Sequence, residues 1–399
     1  MKTKILLILF IAFNLLSCSK DGNNDDNIPF TFQVEVQNVA DTAATITWTK
    51  PEGSNISYKI YLNNELIEDN FGQNAYTFTG LLSESPYNGE ITATNGSQTA
   101  TVSFSFNTAI YTPNIYESNA YLTNQQAVNE FGSHHYNEIR NHLIIQGSDI
   151  YDLSSLYDLK KVYGNVEIKY SSMQTFQGLE NLEFIGGKLD IYRCDILENL
   201  DALENVKTIN DDIEIYSNGL KDIDGLRNVE NFSKGINIGS NKIVNVNIMN
   251  DATSLHHLSF ADNEQLETVN GFQNVSHIED YLDIWRNPKL ISLHGLQSVN
   301  TVGDIFILDQ NTDLATIDFV NLTSIGNYMS VWENQGLTNL DGFSNLSSVD
   351  GDIDIINHLS LTDLCGISTA VLNNTEKVTI NGNQYNPTVQ DFQNGDCRQ

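Results

Sequence analysis

Aromatic and acidic side chains recur at matching places in a repeated pattern of about 23 residues in the second half of the chain. Each repeat opens with an apolar-x-apolar segment that we predict to be a β-strand. Residues one and three positions after its first apolar residue should face solvent. Aromatic rings there would stack on a sugar or anchor a protein partner. The predicted binding residues are Tyr192, Tyr216, Trp285, Phe306, Trp332, Asp190, Glu214 and Asp283.

Two tryptophans are the centre of this prediction. Trp285 and Trp332 lie two predicted strands apart, which corresponds to about 10 Å in a parallel sheet. Exposed aromatic area of this kind indicates a surface that binds a glycan or another protein. The alternatives are the ordinary preference of aromatic residues for strands, or cover by a loop elsewhere in the chain.

Catalytic chemistry is not expected. The chain contains no HExxH, GxSxG, GxGxxG or P-loop motif. Parallel β-helices do host polysaccharide lyases and hydrolases, but repeats of 22 to 25 residues leave no room for the long loops that wall those sites. Asp211-Asp212, and Asp352 with Asp354, recur at equivalent places, which indicates a solvated acidic row. We predict that the protein is not an enzyme, with a carbohydrate-active enzyme as the less favoured alternative.

Histidine pairs do not predict a metal site. His134-His135 and His256-His257 are consecutive residues, and neighbours on a strand point to opposite faces. Neither pair is therefore expected to bind a metal jointly, and the sequence predicts no metal and no cofactor.

The elements that would position these side chains repeat along the chain. Strands of successive repeats should pair in parallel at about 4.8 Å, so that the stack is roughly 50 Å long and shares one continuous core. The predicted strands begin at Leu143, Val166, Leu189, Ile213, Ile236, Leu258, Leu282, Ile305, Met329, Ile353 and Val378. Five residues after most of these starts comes an amide that would satisfy the turning backbone: Asn218, Asn241, Asn263, Asn287, Asn334 and Asn383.

Residues 143–399 resemble the receptor L-domain, a leucine-rich-repeat-like β-helix, as the segments GLENLEFIGGKLDIYR and GFSNLSSVDGDIDIIN illustrate. The resemblance implies a parallel solenoid of about eleven coils, more than a receptor L-domain usually has, so receptor ligand sites do not carry over. Leucine-rich repeats also accept cysteine on their amide ladder, which implies that Cys194 is a buried thiol. Residues 110–142 are expected to be a linker with a short N-capped helix within 122–131 that covers the first coil.

Residues 29–109 alternate apolar and polar side chains between regular turn signals, as an antiparallel sandwich does. This segment resembles a fibronectin type III domain through Trp48 in TITWTKP, Tyr58 and Tyr61 in YKIYLN, Leu81, and Tyr87 on the following strand. The resemblance implies a spacer or a docking module with Trp48 in its core. The predicted strands are Phe32–Val36, Ala44–Thr49, Tyr58–Leu62, Ala75–Thr79, Tyr87–Thr94 and Thr99–Phe106.

The first 28 residues predict where the protein is located. Residues 1–17 combine Lys2 and Lys4 with an apolar run that is too short to span a bilayer. They end in LLSC, which resembles the lipobox of bacterial lipoproteins. The resemblance implies lipidation of Cys18, an acidic tether over residues 18–28, and an anchor in the outer membrane with exposure at the cell surface. A plain secretory signal and a calcium-binding tether are the alternatives.

Two further cysteines are candidates for a disulfide. Cys365 takes the outward turn position that Asp224, His294 and Asp341 hold in other repeats, so it is not a core residue. In an oxidising cell envelope, a bridge to Cys397 would pin the C-terminal cap and stabilise it by roughly 3–4 kcal/mol.

The charge of the chain excludes several partners. Its 399 residues include 51 acidic and 20 basic groups, for a net charge of −31. Such a chain cannot neutralise nucleic-acid phosphates or dock electrostatically on anionic lipid, so membrane contact would run through the N-terminal lipid alone. We therefore predict a mainly β, lipid-anchored adhesion or binding protein whose ligand is a glycan or a surface protein. The alternative is a structural spacer without a specific ligand.

Overall fold

The computed structural model describes residues 30–230, 232–249 and 251–399. They form two compact units that divide between residues 112 and 113, and each unit has its own hydrophobic core. The predicted signal sequence, Cys18 and the acidic tether lie outside the described residues. Within the described part of the chain, no helix is long and apolar enough to cross a membrane.

The first unit is an antiparallel sandwich of two sheets. One sheet has the order β1-β2-β5 and the other has the order β4-β3-β6-β7. Alternation along the strands buries Ile46, Trp48, Tyr58 and Ile60. The strands are β1 (Val34–Gln37), β2 (Ala44–Trp48), β3 (Ser57–Leu62), β4 (Glu65–Phe71), β5 (Ala75–Phe78), β6 (Pro86–Thr94) and β7 (Thr99–Asn107).

The sequence pattern did not predict β4. Glu65–Phe71 lies at the edge of its sheet, and none of its residues is buried. It pairs with β3 in an irregular register. Most of its residues are exposed and its apolar residues do not alternate, so the pattern on which strand prediction depends is missing there.

The second unit is built on a parallel sheet of twelve strands. In β8 to β18, buried apolar residues alternate with residues on the opposite face. The same alternation in the sequence predicted every strand of this sheet except β8. They are β8 (Ala120–Leu122), β9 (Leu143–Gln146), β10 (Val166–Lys169), β11 (Leu189–Tyr192), β12 (Ile213–Tyr216), β13 (Ile236–Gly239), β14 (Leu258–Ala261), β15 (Leu282–Trp285), β16 (Ile305–Asp309), β17 (Tyr328–Trp332), β18 (Ile353–Ile356) and β19 (Val378–Asn381).

Shorter elements complete each repeat. Two-residue parallel strands lie at Ile115–Tyr116, Glu138–Ile139, Lys161–Val162, Phe184–Ile185 and Thr208–Ile209, at Asn245–Val246 and Thr268–Val269, and at Ser254–Leu255, His277–Ile278, Thr301–Val302, Ser324–Ile325 and Ser348–Val349. Single 3-10 turns lie at Ser154–Leu156, Asp201–Leu203, Asp224–Leu226, His294–Leu296, Asp341–Phe343 and Cys365–Ile367. The helices are α1 (Gln125–Gly132), α2 (Ser368–Asn373) and α3 (Val389–Asn394).

The repeats begin earlier than predicted. Residues 113–142 belong to the second unit and are not a linker, because β8 pairs in parallel with β9 and extends the sheet by one strand. The helix predicted within 122–131 is present as α1. Its N-cap is Asn124, whose side chain accepts a hydrogen bond from the Ala127 backbone N–H.

Buried amides join successive repeats. Asn263 shows the pattern: its Oδ1 accepts from the Asn241 backbone N–H at 3.1 Å, and its Nδ2 donates to the Ile238 carbonyl at 3.0 Å. Each such side chain thus satisfies two backbone groups of the preceding repeat. We call this row the amide ladder: Asn218, Asn241, Asn263, Asn287, Asn311, Asn334 and Asn383, with His358 replacing an amide. Cys194 precedes it in the same position, fully buried.

The chain turns at the residue before each ladder position. Asp262 and Arg286, which precede Asn263 and Asn287, have φ angles of 56° and 55°. Residues other than glycine adopt this left-handed conformation at a cost of about 1–2 kcal/mol. The turn recurs at Arg193, Ser217, Ser240, Gln310, Glu333 and Asn357. It ends the strand and directs the next side chain into the core, where the amide can reach the preceding repeat.

The C-terminal end carries the disulfide. Cys365 and Cys397 are bonded in the structure, with an S–S distance of 2.00 Å. Cys365 begins a 3-10 turn, as Asp224, His294 and Asp341 do in their own repeats. The bridge ties the last turn of the repeats to the residues that follow α3.

Removing one buried amide should destabilise the repeats. Asn263→Ala leaves the buried Asn241 N–H without its partner and removes the side-chain bond to the Ile238 carbonyl. The free energy of unfolding should fall by about 3 kcal/mol. The matched control is Asn205→Ala, because exposed Asn205 donates a similar bond to the Glu180 carbonyl at 2.7 Å. There the loss should be about 0.5 kcal/mol, since water replaces the bond. Urea unfolding followed by circular dichroism measures both losses. Equal losses would show that the buried amides stabilise the repeats no more than an exposed amide does.

Candidate binding face

The candidate site lies on the side of the twelve-stranded sheet that points away from the core. In each strand, the residues one before, one after and three after the first buried residue lie on this side, which we call the outer face. Parallel register places equivalent residues of adjacent strands about 4.8 Å apart. Each of these positions therefore forms a row that runs across the sheet.

Trp285, Asp309 and Trp332 are consecutive members of one row. Trp285 pairs with Asp309, and Asp309 pairs with Trp332. Trp332 is 36% exposed. Trp285 is half-buried, and the Arg286 guanidinium lies 5.0 Å from its ring centre. Two indole rings thus flank a carboxylate position on the outer face.

The carboxylate between the tryptophans is held in a desolvated place. Ser330 Oγ donates to the two Asp309 oxygens at 2.8 and 3.0 Å. These bonds favour the ionised form, yet burial outweighs them and raises the pKa of Asp309 to about 6.

Asp283 is still more desolvated. Burial, and then the nearby charge of Asp309, raise its pKa to about 7. Its Oδ2 lies 3.5 Å from the Ser259 hydroxyl, and its Oδ1 is buried with no hydrogen-bond partner among the described residues. The protonated form suits this position better, because a neutral carboxyl costs less to desolvate. Asp283 and Asp309 therefore titrate near neutral pH.

Tyr216 covers the other side of this cluster. A Cβ on Gly239 would lie 2.5 Å from the Tyr216 ring, so the glycine leaves the space that the ring occupies. The Tyr216 hydroxyl bonds to Ser259, but burial raises its pKa to about 12. Ser259 is only 3% exposed although it lies on the outer face.

The prediction for Phe306 is wrong. Its side chain is fully buried and packs against Phe319 and Phe343, with ring centres 5.1 and 5.5 Å away. The sequence IFIL at 305–308 is apolar throughout, so alternation does not set its register, and a slip of one residue reverses every side chain. The amide ladder carried the missing signal: Asn311 lies five residues after Phe306, not after Ile305. The same slip concealed Asp309.

The remaining predicted residues form a separate, charge-paired group. Lys169 Nζ lies 2.7 Å from Asp190, and Lys188 Nζ lies 3.1 Å from Glu214. Tyr192 is half-buried and packs edge-on against Tyr170 at 5.6 Å. Because lysines neutralise these carboxylates, this part of the outer face is not an acidic site of its own.

Two tyrosines of the outer face were not predicted. The Tyr328 hydroxyl donates to Asp354 at 2.9 Å, and the Tyr281 hydroxyl donates to Asn237 Oδ1 at 3.1 Å. Each tyrosine lies immediately before the first buried residue of its strand. The sequence prediction considered only the positions one and three residues after that residue. The two tyrosines extend the aromatic surface that surrounds Asp283 and Asp309.

The geometry predicted for one histidine pair is wrong. His256 and His257 lie in the bend before β14, where strand alternation does not apply, and their Nδ1 atoms are 3.1 Å apart. Asp280 lies beside them, so that ligand atoms of all three residues fall within 4.8 Å of one another.

Comparison with known proteins identifies the first unit only. Residues 28–106 match the family model of the fibronectin type III domain. This segment is a fibronectin type III domain. Within it Trp48 is buried, as the sequence indicated, and its ring centre lies 5.2 Å from that of Tyr58. No curated protein matches the chain.

The raised pKa of Asp283 makes stability depend on pH. Between about pH 4 and pH 7 the folded protein holds this proton and the unfolded chain releases it, so stability falls as the pH rises through that window. Asp283→Asn removes this titration. The variant should gain on the order of 2 kcal/mol over the wild type at pH 8 and almost nothing at pH 4. Thermal melting at both pH values measures the difference.

Asp190→Asn is the control for that experiment. It removes a carboxylate that is paired with Lys169, so it should lose about 0.5 kcal/mol at pH 8. A gain at pH 8 for Asp190→Asn, or none for Asp283→Asn, would show that desolvation does not dominate at Asp283.

Proposed function

We propose that this chain is a lipid-anchored cell-envelope protein that binds a glycan, without catalysis, through the outer face between β12 and β18. The observation that carries the proposal is the row Trp285, Asp309 and Trp332, in which two indole rings flank one carboxylate. Ring faces match the apolar C–H surfaces of a pyranose, and carboxylate oxygens accept hydrogen bonds from its hydroxyl groups.

Charge favours a neutral glycan over an acidic one. Asp283, Asp309, Glu333 and Asp354 lie on or beside this part of the face, and the whole chain carries a net charge of −31. A sulfated or uronic acid polymer would be repelled by these groups. A neutral hexose polymer would meet acceptors and rings without that penalty.

The proposed scaffold is a solenoid of the receptor L-domain type. Its support is the parallel register of β8 to β19, the amide ladder, and one continuous hydrophobic core along residues 120–397. Stacked coils of this kind present a stiff sheet on which rings keep a constant spacing. Such a surface suits an extended chain of sugar units.

The proposed location depends on the sequence alone. Residues 1–17 and the LLSC segment resemble a lipoprotein signal, and a lipid on Cys18 would anchor the protein in the outer membrane. In chain order, the fibronectin type III domain would then lie between the lipid anchor and the proposed binding face.

Replacing both tryptophans should abolish binding. The test is a screen of neutral and acidic glycans with the chain from residue 19 onward, which contains both compact units whole. Trp285→Ala with Trp332→Ala should weaken binding of the selected glycan about a hundredfold, because each stacked ring is worth about 1.4 kcal/mol and each 1.4 kcal/mol is tenfold in affinity. The melting temperature should change little, since neither ring belongs to the core.

The matched control is Tyr151→Ala with Tyr157→Ala. These tyrosines are 68% and 56% exposed but lie off the outer face, so binding should be unchanged. Silence across the whole screen would favour the spacer function. Release of reducing ends would favour an enzyme with Asp283 as proton donor, since its raised pKa suits that role.

The anchor has its own test. Cys18→Ala should move the protein from the membrane fraction to the soluble fraction and abolish labelling by radioactive palmitate, because the thiol that carries the lipid is missing. Cys194→Ala is the control and should remain in the membrane fraction. Membrane association of the Cys18→Ala variant would contradict the lipid anchor.

A further inference from the structure

We propose that His256, His257 and Asp280 form a binding site for a divalent transition metal, with Zn²⁺ as the ion that the ligand set fits best. This inference does not depend on glycan binding. It starts from the contact between the imidazole rings of His256 and His257. In a regular β-strand these neighbouring side chains would point to opposite faces.

The two rings meet because of their place in the repeat. His256 and His257 lie between the short strand Ser254–Leu255 and β14, and their Nδ1 atoms are 3.1 Å apart. Two nitrogen ligands on one tetrahedral zinc ion, each about 2.0–2.1 Å from the metal, lie about 3.3 Å apart. The observed distance is close to this value, and a metal ion would replace the hydrogen bond that joins the two Nδ1 atoms.

The third ligand comes from the next repeat. Asp280 precedes β15 by the same number of residues by which His256 precedes β14, and its backbone N–H donates to the His256 carbonyl at 2.8 Å. Backbone pairing thus holds the carboxylate beside the imidazoles, with all three ligand atoms within 4.8 Å.

His257 has the support expected of a metal ligand. Its ring stacks on Tyr281 at 4.7 Å with an interplanar angle of 11°. Its Nε2 lies 3.0 Å from Asn237 Nδ2, and Asn237 Oδ1 lies 3.1 Å from the Tyr281 hydroxyl. When a metal binds, a 180° rotation of the Asn237 amide would let Oδ1 accept from His257 Nε2–H while Nδ2 donates to the Tyr281 oxygen. Nδ1 of His257 then presents its lone pair to the metal.

The surroundings favour a cation. His257 is buried, and the carboxylates of Asp212, Asp280 and Glu214 act on it electrostatically. Gly235 contacts the ring directly, since a Cβ there would lie 1.9 Å from it. A buried imidazole among carboxylates is a suitable place for a metal cation.

The donor set selects the type of metal. Two imidazole nitrogens and one carboxylate suit Zn²⁺, Cu²⁺ or Ni²⁺, whereas Ca²⁺ and Mg²⁺ need more oxygen ligands. Three protein ligands leave a coordination position open to water or to a group from outside. His256 is exposed, so that position is accessible from solvent.

Zinc titration tests the site. The full chain, purified without a histidine tag and freed of metal with a chelator, is titrated with ZnCl₂ by isothermal calorimetry. We expect one saturable site with a Kd below about 10 µM. His256→Ala and Asp280→Asn should each raise the Kd at least tenfold, and Asn237→Ala should also weaken binding about tenfold through loss of the support for His257.

The matched control is His277→Ala, which removes an exposed histidine of the next repeat and should leave the Kd unchanged. Thermal melting without metal verifies that each variant folds, and Co²⁺ spectra of the wild type should show the visible bands of a tetrahedral site. Absence of saturable Zn²⁺ binding, or binding that persists in His256→Ala with Asp280→Asn, would overturn the proposal.

Discussion

The chain turns inside the core at the end of a strand, and the backbone groups of that turn need hydrogen-bond partners there. The structure of the repeats depends on this requirement. Each strand from β10 to β19 is followed by a left-handed residue, and the N–H that comes next is out of reach of water. A short amide of the next repeat accepts from that N–H and donates to a carbonyl of the preceding strand, as Asn263 does. An unpaired group in this place would cost about 1–3 kcal/mol. Spacing, turn geometry and parallel register are therefore specified together in every repeat.

The composition of the outer face follows from that register. Because the amide ladder specifies which residue of each strand enters the core, it also specifies which residues are neighbours on the outer face. Asp309 lies between Trp285 and Trp332 only because Phe306, and not Ile305, is the first core residue of β16. The rings around it exclude water, and desolvation then raises the pKa of Asp309 and of Asp283.

Electrostatics divides the outer face into two parts. Near β10 to β12, Lys169 and Lys188 lie within ion-pair distance of Asp190 and Glu214, so the carboxylates there are compensated. Near β15 to β17 the carboxylates are surrounded by rings and serine hydroxyls, with no lysine in the rows of the outer face there. The fibronectin type III domain contributes its own closed core of Trp48 and Tyr58.

The sequence by itself determined the repeat length, most of the amide ladder, nearly every strand of the long sheet and the sandwich of the first unit. Each of these features produces a periodic pattern of apolar or amide residues in the sequence. For the same reason it predicted that the side chains of Tyr192, Tyr216, Trp285 and Trp332 lie on the outer face.

Tertiary structure decided the rest. The all-apolar run at 305–308 has no alternation, so its register depends on the spacing to Asn311 and on the packing of Phe306 against Phe319 and Phe343. The edge strand β4 has no apolar pattern, and the meeting of His256 with His257 takes place in a bend to which strand alternation does not apply. Desolvation of Asp283 depends on side chains from three strands, which no local pattern brings together.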